Sequence, residues 1–320
     1  MHAKRLVLGV IAVLSLALAA CADEGGDPTH GDDPTQEEPQ YEGQGQFPVR
    51  ADLIDDIRNA LGGGEGSGGG GANGGVIPPH GDPPLILRDN RGPYRFDTYD
   101  INSGVVYYPR NAEAPFAGLA LCGGFLNSGI EMLGWGEFFA SWGIVTVITW
   151  TGILDLPDFR GWALASAVDE LKAENNRASS PLYRKMAGRY GTAGYSMGGG
   201  GTTTAAQGAP SNNVSIGMAP WAPTGLFVQV PTLMMCGDID IIADCSDSEW
   251  AYNDMSDNVP KMWVMLTGGV GHLDWFGPDA AWGKGGAYAL AFAKLFLEGD
   301  QRWKATLLGL NGGFVTTNIR

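Results

Sequence analysis

Gly194-Tyr195-Ser196-Met197-Gly198-Gly199-Gly200-Gly201 decides how the rest of the chain is read. It contains Gly-x-Ser-x-Gly, the pattern of a serine held in a sharp bend between a strand and a helix with its hydroxyl exposed. The residues two positions before and after the serine must be small, because the backbone turns too tightly there for a Cβ. Upstream, residues 189–194 read as a short buried strand. Downstream, residues 199–206 are small and suit a tightly packed helix beneath the serine. A dinucleotide-binding glycine loop needs Gly-x-Gly-x-x-Gly and an acid about 20 residues later. Here the first glycine pair brackets a serine, and no acid follows before Asp238.

Outward from this turn, short apolar runs alternate with helical patterns. Residues 94–100 and 104–108 read as a hairpin rich in aromatic and β-branched side chains. Residues 116–122 and 144–150 read as strands buried on both faces. Helical periodicity covers residues 130–142, 161–174 and 280–297, and strands are expected at 214–217, 232–235 and 262–266. Strands alternating with helices predict an α/β fold with a mostly parallel central sheet flanked by helices. No stretch between the serine and the last strand is long enough for a lid.

The 320 residues include four cysteines and four histidines, and the net charge is −15. Residues 22–90 carry fourteen acidic and three basic side chains, so eleven of those negative charges belong to a tail rather than to a site. No basic patch suggests nucleic acid. The cysteines show no zinc spacing, so neither metal nor cofactor is expected. Lys4-Arg5 precedes an apolar run over residues 6–20, too short for a comfortable membrane span. It ends in Leu18-Ala19-Ala20-Cys21, which resembles the lipobox of bacterial lipoproteins. That resemblance implies cleavage before Cys21, a lipid on its sulfur and an anchored, outward-facing or periplasmic position in the cell envelope. The resulting division is a signal segment 1–20, an acidic Gly/Pro-rich linker 21–91 that cannot bury enough apolar surface to fold, a catalytic domain 92–299 and a tail 300–320. A single helix over residues 51–61 interrupts the linker. A monomer is expected.

A serine nucleophile needs a base to take its proton and an acid to orient that base. His272 is the one histidine outside the leader and the linker, and it sits in a glycine loop after a strand. The acid belongs on the loop after residues 232–235, where Asp238, Asp240 and Asp244 compete. Gly237-x-x-Asp240 matches a common hydrolase pattern and favours Asp240, with Asp238 as runner-up. The order Ser196, Asp240, His272 is that of α/β-hydrolases. The oxyanion hole needs two backbone N–H groups. Met197 follows the nucleophile, and Gly123-Gly124-Phe125 follows an earlier strand, with Phe125 the expected second donor.

The Gly-Tyr-Ser-Met-Gly elbow resembles that of bacterial cutinase-like polyester hydrolases, the poly(ethylene terephthalate) hydrolases among them, in the dienelactone-hydrolase-like branch of the α/β-hydrolases. Gly124-Phe125, Ala140-Ser141-Trp142-Gly143, Ala219-Pro220-Trp221, Val230-Pro231-Thr232-Leu233 and Gly268-Gly269 before His272 line up in order with that family. The resemblance implies an α/β-hydrolase fold without a lid, a serine carboxylesterase working through an acyl-enzyme, and substrate stacking on Phe125 and Trp221. It also departs from the family. Members usually carry a cysteine just after the histidine, paired with one on the acid strand, but here Leu273-Asp274-Trp275-Phe276 follows His272. Cys236 is left to pair with Cys245 or to remain free. Trp150, Trp275 and Phe276 are further aromatics expected at the carboxyl edge of the sheet. A lipase or phospholipid acetylhydrolase-like enzyme, or an amidase, would use the same triad. A binding module would show a broken one.

Overall fold

The computed structural model describes residues 76–208 and 212–320. The leader, Cys21, the helix expected at residues 51–61 and the linker up to residue 75 lie outside the described residues. Nine strands form one sheet: β1 (Phe96–Ile101), β2 (Gly104–Pro109), β3 (Phe116–Cys122), β4 (Val145–Thr149), β5 (Met186–Tyr195), β6 (Asn212–Met218), β7 (Thr232–Gly237), β8 (Lys261–Leu266) and β9 (Gly313–Thr317). Their order is β1-β2-β4-β3-β5-β6-β7-β8-β9. Pairing is parallel from β4 through β8 and antiparallel at both ends. This is the α/β-hydrolase fold.

Helices cover both faces, which is why the central strands are apolar throughout. In β3, Leu119 and Leu121 face one core while Phe116, Ala120 and Cys122 face the other. The first core is closed by α1 (Leu133–Ser141), α5 (Ala280–Phe292) and α6 (Trp303–Gly309). They bring Trp135, Phe138, Phe139, Tyr288, Phe292 and Trp303 into it. The second is closed by α2 (Pro157–Asn176) through Leu164, Ala167, Val168 and Leu171. Beyond it, α4 (Cys245–Asp254) packs on Met234, Cys236 and Trp263. Beside α2, and packed on β5 and β6, lies α3 (Met197–Gly208), which begins directly after the elbow serine.

Three expectations are corrected. The folded unit does not begin at residue 92: Leu87 is in the core, His80 is buried, and Trp142 Nε1 donates to Asn90 O at 3.0 Å. The segment has no period because it is an extended strap held by single side chains. Nor is 300–320 a tail, since Trp303 is buried and β9 adds an edge strand to β8. Its side chains are mostly exposed, so it carries no apolar signal. The closing helix is also not continuous. Ala281, Trp282 and Gly283 have positive φ, and residues Ala293–Glu298 wind as a π-helix around a buried Lys294–Glu298 pair.

Candidate active site

The elbow is formed as its sequence requires. Ser196 lies between β5 and α3 with φ 55°, in the left-handed region that a non-glycine residue occupies only under local constraint. Its N–H donates to Met218 O at 3.0 Å, and its carbonyl accepts from Gly200 and Trp221. A Cβ on Gly194 would stand 2.2 Å from Gly198 O and one on Gly198 2.4 Å from Gly123 O, so both small positions are enforced. The hydroxyl lies 2.9 Å from His272 Nε2, and His272 Nδ1 lies 2.8 Å from Asp240 Oδ2. A carboxylate can only accept, so Nδ1 carries the hydrogen and Nε2 is free to accept from Ser196 Oγ. The other oxygen, Asp240 Oδ1, accepts from the N–H groups of Ile242 and Ala243, each at 2.9 Å. Asp240 is buried and fixed from both sides.

Asp238, the runner-up for the acid, is bound elsewhere. Its carboxylate accepts from Gly268 N–H at 2.9 Å, Gly269 N–H at 3.0 Å and Val270 N–H at 2.7 Å. Burial pushes its pKa up, but these donors outweigh that and hold it below the usual carboxylate range. Asp238 therefore ties the acid loop to the histidine loop. Asp244 caps α4 through Ser246 N–H. Cys236 and Cys245 are disulfide-bonded, so the pairing that the sequence left open closes a ring around Asp240.

The oxyanion loop follows β3. Gly124 N–H donates to Asn127 Oδ1, Leu126 N–H to Ile153 O and Asn127 N–H to Gly124 O. Among the described residues the N–H of Phe125 bonds no protein acceptor. Neither does that of Met197, which is in the first turn of α3, where backbone donors have no helical partner. The loop touches the nucleophile: a Cβ on Gly124 would come within 2.4 Å of Ser196 Cβ. Arg160 fastens it from below. Fully buried, its guanidinium donates to Gly123 O, Thr151 Oγ1 and Gly152 O, and its Nε to Asp155 O. Neighbouring Cys122 is no competing nucleophile, since burial pushes its thiol up to about 12.

Of the expected aromatics, Phe125 is partly exposed and Trp221 is half-buried against the core. Trp150 is partly exposed, its ring lying over Gly129. Trp275 is corrected: it is fully buried, and its carbonyl accepts from Trp135 Nε1. Phe276 instead packs on Tyr195, whose ring centroid is 5.1 Å from that of His272. Burial, with Asp240 and Asp274 adding to it, raises the Tyr195 phenol above its usual range and keeps it neutral. Arg160, Asn127 and Tyr195 were not singled out from the sequence. Arg160 had a signal, as the lone cation between residues 150 and 162. Among the described residues no cluster of three or more His, Cys, Asp or Glu could hold a metal ion.

An α/β-hydrolase scaffold with this constellation defines a serine hydrolase. The profile of the PET hydrolase-like family matches residues 81–316. The chain is 30% identical over 233 residues to the bis(hydroxyethyl) terephthalate hydrolase of Streptomyces coelicolor, covering 69% of this chain and 73% of that protein. It is 30% identical over 169 residues to lipase 1 of a Moraxella species, covering 49% of this chain and 51% of that protein. The chain belongs to the PET hydrolase-like family.

Proposed function

We propose that the protein hydrolyses carboxylic esters through an acyl-enzyme on Ser196, with short esters and polyesters of the terephthalate type as substrates. The observation that carries this reading is the unbroken hydrogen-bonded line Ser196–His272–Asp240. His272 Nε2 takes the hydroxyl proton as Ser196 Oγ attacks the carbonyl carbon. The developing oxyanion is met by the N–H groups of Phe125 and Met197. His272 returns the proton to the leaving alkoxide, and water then cleaves the acyl-enzyme by the same steps in reverse order. Asp240 holds the imidazole in the required tautomer. The relative's name, bis(hydroxyethyl) terephthalate hydrolase, supports an aromatic diester as substrate class, and Phe125 and Trp221 offer faces on which such a ring can stack.

The protein acts as a monomer on a lipid anchor. The lipobox at Cys21 and the acidic Gly/Pro-rich stretch after it support an enzyme tethered to the outer side of a bacterial envelope membrane.

The test is a substrate panel with one variant. p-Nitrophenyl acetate should be cleaved quickly and a polyester film more slowly, with soluble acids released. Trp221→Ala should lower film hydrolysis more than p-nitrophenyl acetate hydrolysis, because acetate offers little surface to stack. Equal losses would remove Trp221 from the acyl-binding cleft. Cleavage of p-nitrophenyl esters with no product from any film would reduce the reading to a general carboxylesterase.

A further inference from the structure

The loop from β4 to α2 and the first turns of α2 run beside the oxyanion loop, and their outer surface is apolar. Ile153, Leu154, Leu156, Phe159 and Trp162 are all at least half exposed, Leu154 and Trp162 at 63% and 60%. Exposed apolar side chains scattered singly need no explanation, but a contiguous set marks an interaction surface. Phe159 and Trp162 stand three residues apart in the first two turns of α2, on the same face. Their rings meet edge to face with centroids 5.2 Å apart. Farther along that face come Ser166 and Asp169. The apolar surface is thus confined to the end of α2 that borders the site, unlike a stripe shaped for a partner helix.

The loop is also joined to the catalytic machinery at both ends. Ile153 O accepts from Leu126 N–H at 2.7 Å, next to Phe125. Pro157 packs against Gly200, where a Cβ would meet Pro157 Cβ at 3.3 Å and the Trp221 carbonyl at 2.2 Å. The apolar wall therefore extends from beside Phe125 to beside Trp221. Charge narrows the choice of partner. Asp155 and Asp158 are its acids, and Arg160, its lone cation, is buried and spent on the oxyanion loop. An exposed surface with acids and no free cation is unsuited to anionic lipid headgroups, which recruit Lys and Arg.

We propose that this wall is an adsorption surface for the face of a condensed, water-insoluble aromatic polyester, delivering a chain segment to Ser196. The proposal rests on the polyester reading above and assigns a second role, surface capture, to residues outside the triad and the acyl-binding aromatics.

The experiment compares one chemistry in two physical states. Phe159→Ser combined with Trp162→Gln, and separately Leu154→Ser, are made in the active protein and in a Ser196→Ala background. All three positions are exposed. Activity on dissolved bis(hydroxyethyl) terephthalate should stay within about twofold of the parent, while binding of the inactive protein to amorphous poly(ethylene terephthalate) film, and film hydrolysis at low enzyme loading, should fall about tenfold for the double variant, as loss of two stacking aromatics implies. Leu154→Ser should show a smaller loss of the same pattern. Film binding that is unchanged in both variants, with film hydrolysis intact, overturns adsorption at this wall and leaves the polyester reading standing. A parent that neither binds nor cleaves film overturns both. Loss on film and on the dissolved diester in equal measure overturns capture in favour of a role in the cleft itself. Vesicles of phosphatidylglycerol and phosphatidylcholine, and sedimentation of the parent, complete the test. Variant-sensitive vesicle binding or self-association, with film binding unaffected, would assign the wall to a membrane or to a second copy instead.

Discussion

At the scale of single residues, the site is a relay whose members act as one unit. Ser196→Ala and His272→Ala should each lower kcat by about 10⁴–10⁶, since residues of this kind lose nearly the whole effect when either is removed. A fluorophosphonate should label the parent at Ser196 and leave Ser196→Ala unlabelled. The two aspartates separate in the same way. Asp240→Asn keeps the shape but presents the wrong group to Nδ1, and should cost about 10⁴ in kcat by analogy with the serine-protease triad. Asp238→Asn should cost far less, because Asp238 contacts backbone N–H groups of the histidine loop and not the imidazole. The reverse ranking, measured on one p-nitrophenyl ester, would move the acid to Asp238. Ser196 and His272 could be read from the sequence because each stands alone: one serine in an elbow, one histidine after a late strand. Asp240 was one of three aspartates within seven residues, and only its distance to His272 separates them. Arg160 escaped because a buried cation that serves backbone carbonyls leaves no motif. Trp275 misled because an aromatic beside the catalytic histidine can face the core as easily as the cleft.

At the scale of elements, two loops are held in register by chemistry other than the cross-link expected in the family. The acid loop is closed on itself by Cys236–Cys245, and Asp238 holds it to the histidine loop. A consequence follows for acid stability. Asp238 is depressed in the folded state, so its ionised form contributes stability above its unfolded value of about 3.9, and the contribution is lost as pH falls through the lower folded value. Asp238→Asn should therefore lower Tm at neutral pH, and the gap between parent and variant should narrow on acidification below about pH 4. A gap that stays constant from pH 7 to pH 3 would show that the ionised carboxylate contributes no stability to the loop pair. The central strands were legible because burial on both faces leaves uninterrupted apolar runs, and residues 116–122 match β3 end to end. Helix ends were less so. α2 starts at Pro157, four residues before the expected start, because proline fits the first helical turn where its missing N–H costs nothing. α4 was missed, since its sequence is mostly polar and only Ser248, Ala251 and Tyr252 are buried.

At the scale of the whole molecule, the ends of the chain carry the remaining expectations. If Cys21 is lipidated, the parent should fractionate with membranes and Cys21→Ser should be released or left unprocessed. Soluble parent of the same mature mass as the mutant would refute the anchor. The folded unit has its own dependence on what precedes residue 92. His80, Lys294 and Glu298 are all buried: Lys294 pairs with Glu298 one helical turn on, and His80 bonds Glu298 across more than two hundred residues of sequence. Lys294 Nζ also donates to the carbonyls of His80 and Trp142. Burial pulls the lysine below its ordinary range while Glu298 opposes that shift, so the ammonium depends on these acceptors to stay charged. A chain shortened to begin at Gly92, the boundary expected from composition, loses His80, its carbonyl and Leu87 together. Glu298 then faces a void on its Oε1 side, and Lys294 keeps two acceptors of three. Leaving the buried Glu298 carboxylate and Lys294 ammonium each one hydrogen-bond partner short costs about 1–3 kcal/mol per group, and in a domain of this size each kcal/mol moves Tm by about 2–4 °C. The shortened chain should therefore melt on the order of 10 °C below one that begins at Val76, with the triad still formed in the fraction that folds. Differential scanning calorimetry of the two lengths decides it. Equal melting temperatures would mean that the strap is dispensable and that water satisfies Glu298 and Lys294 as well as His80 does.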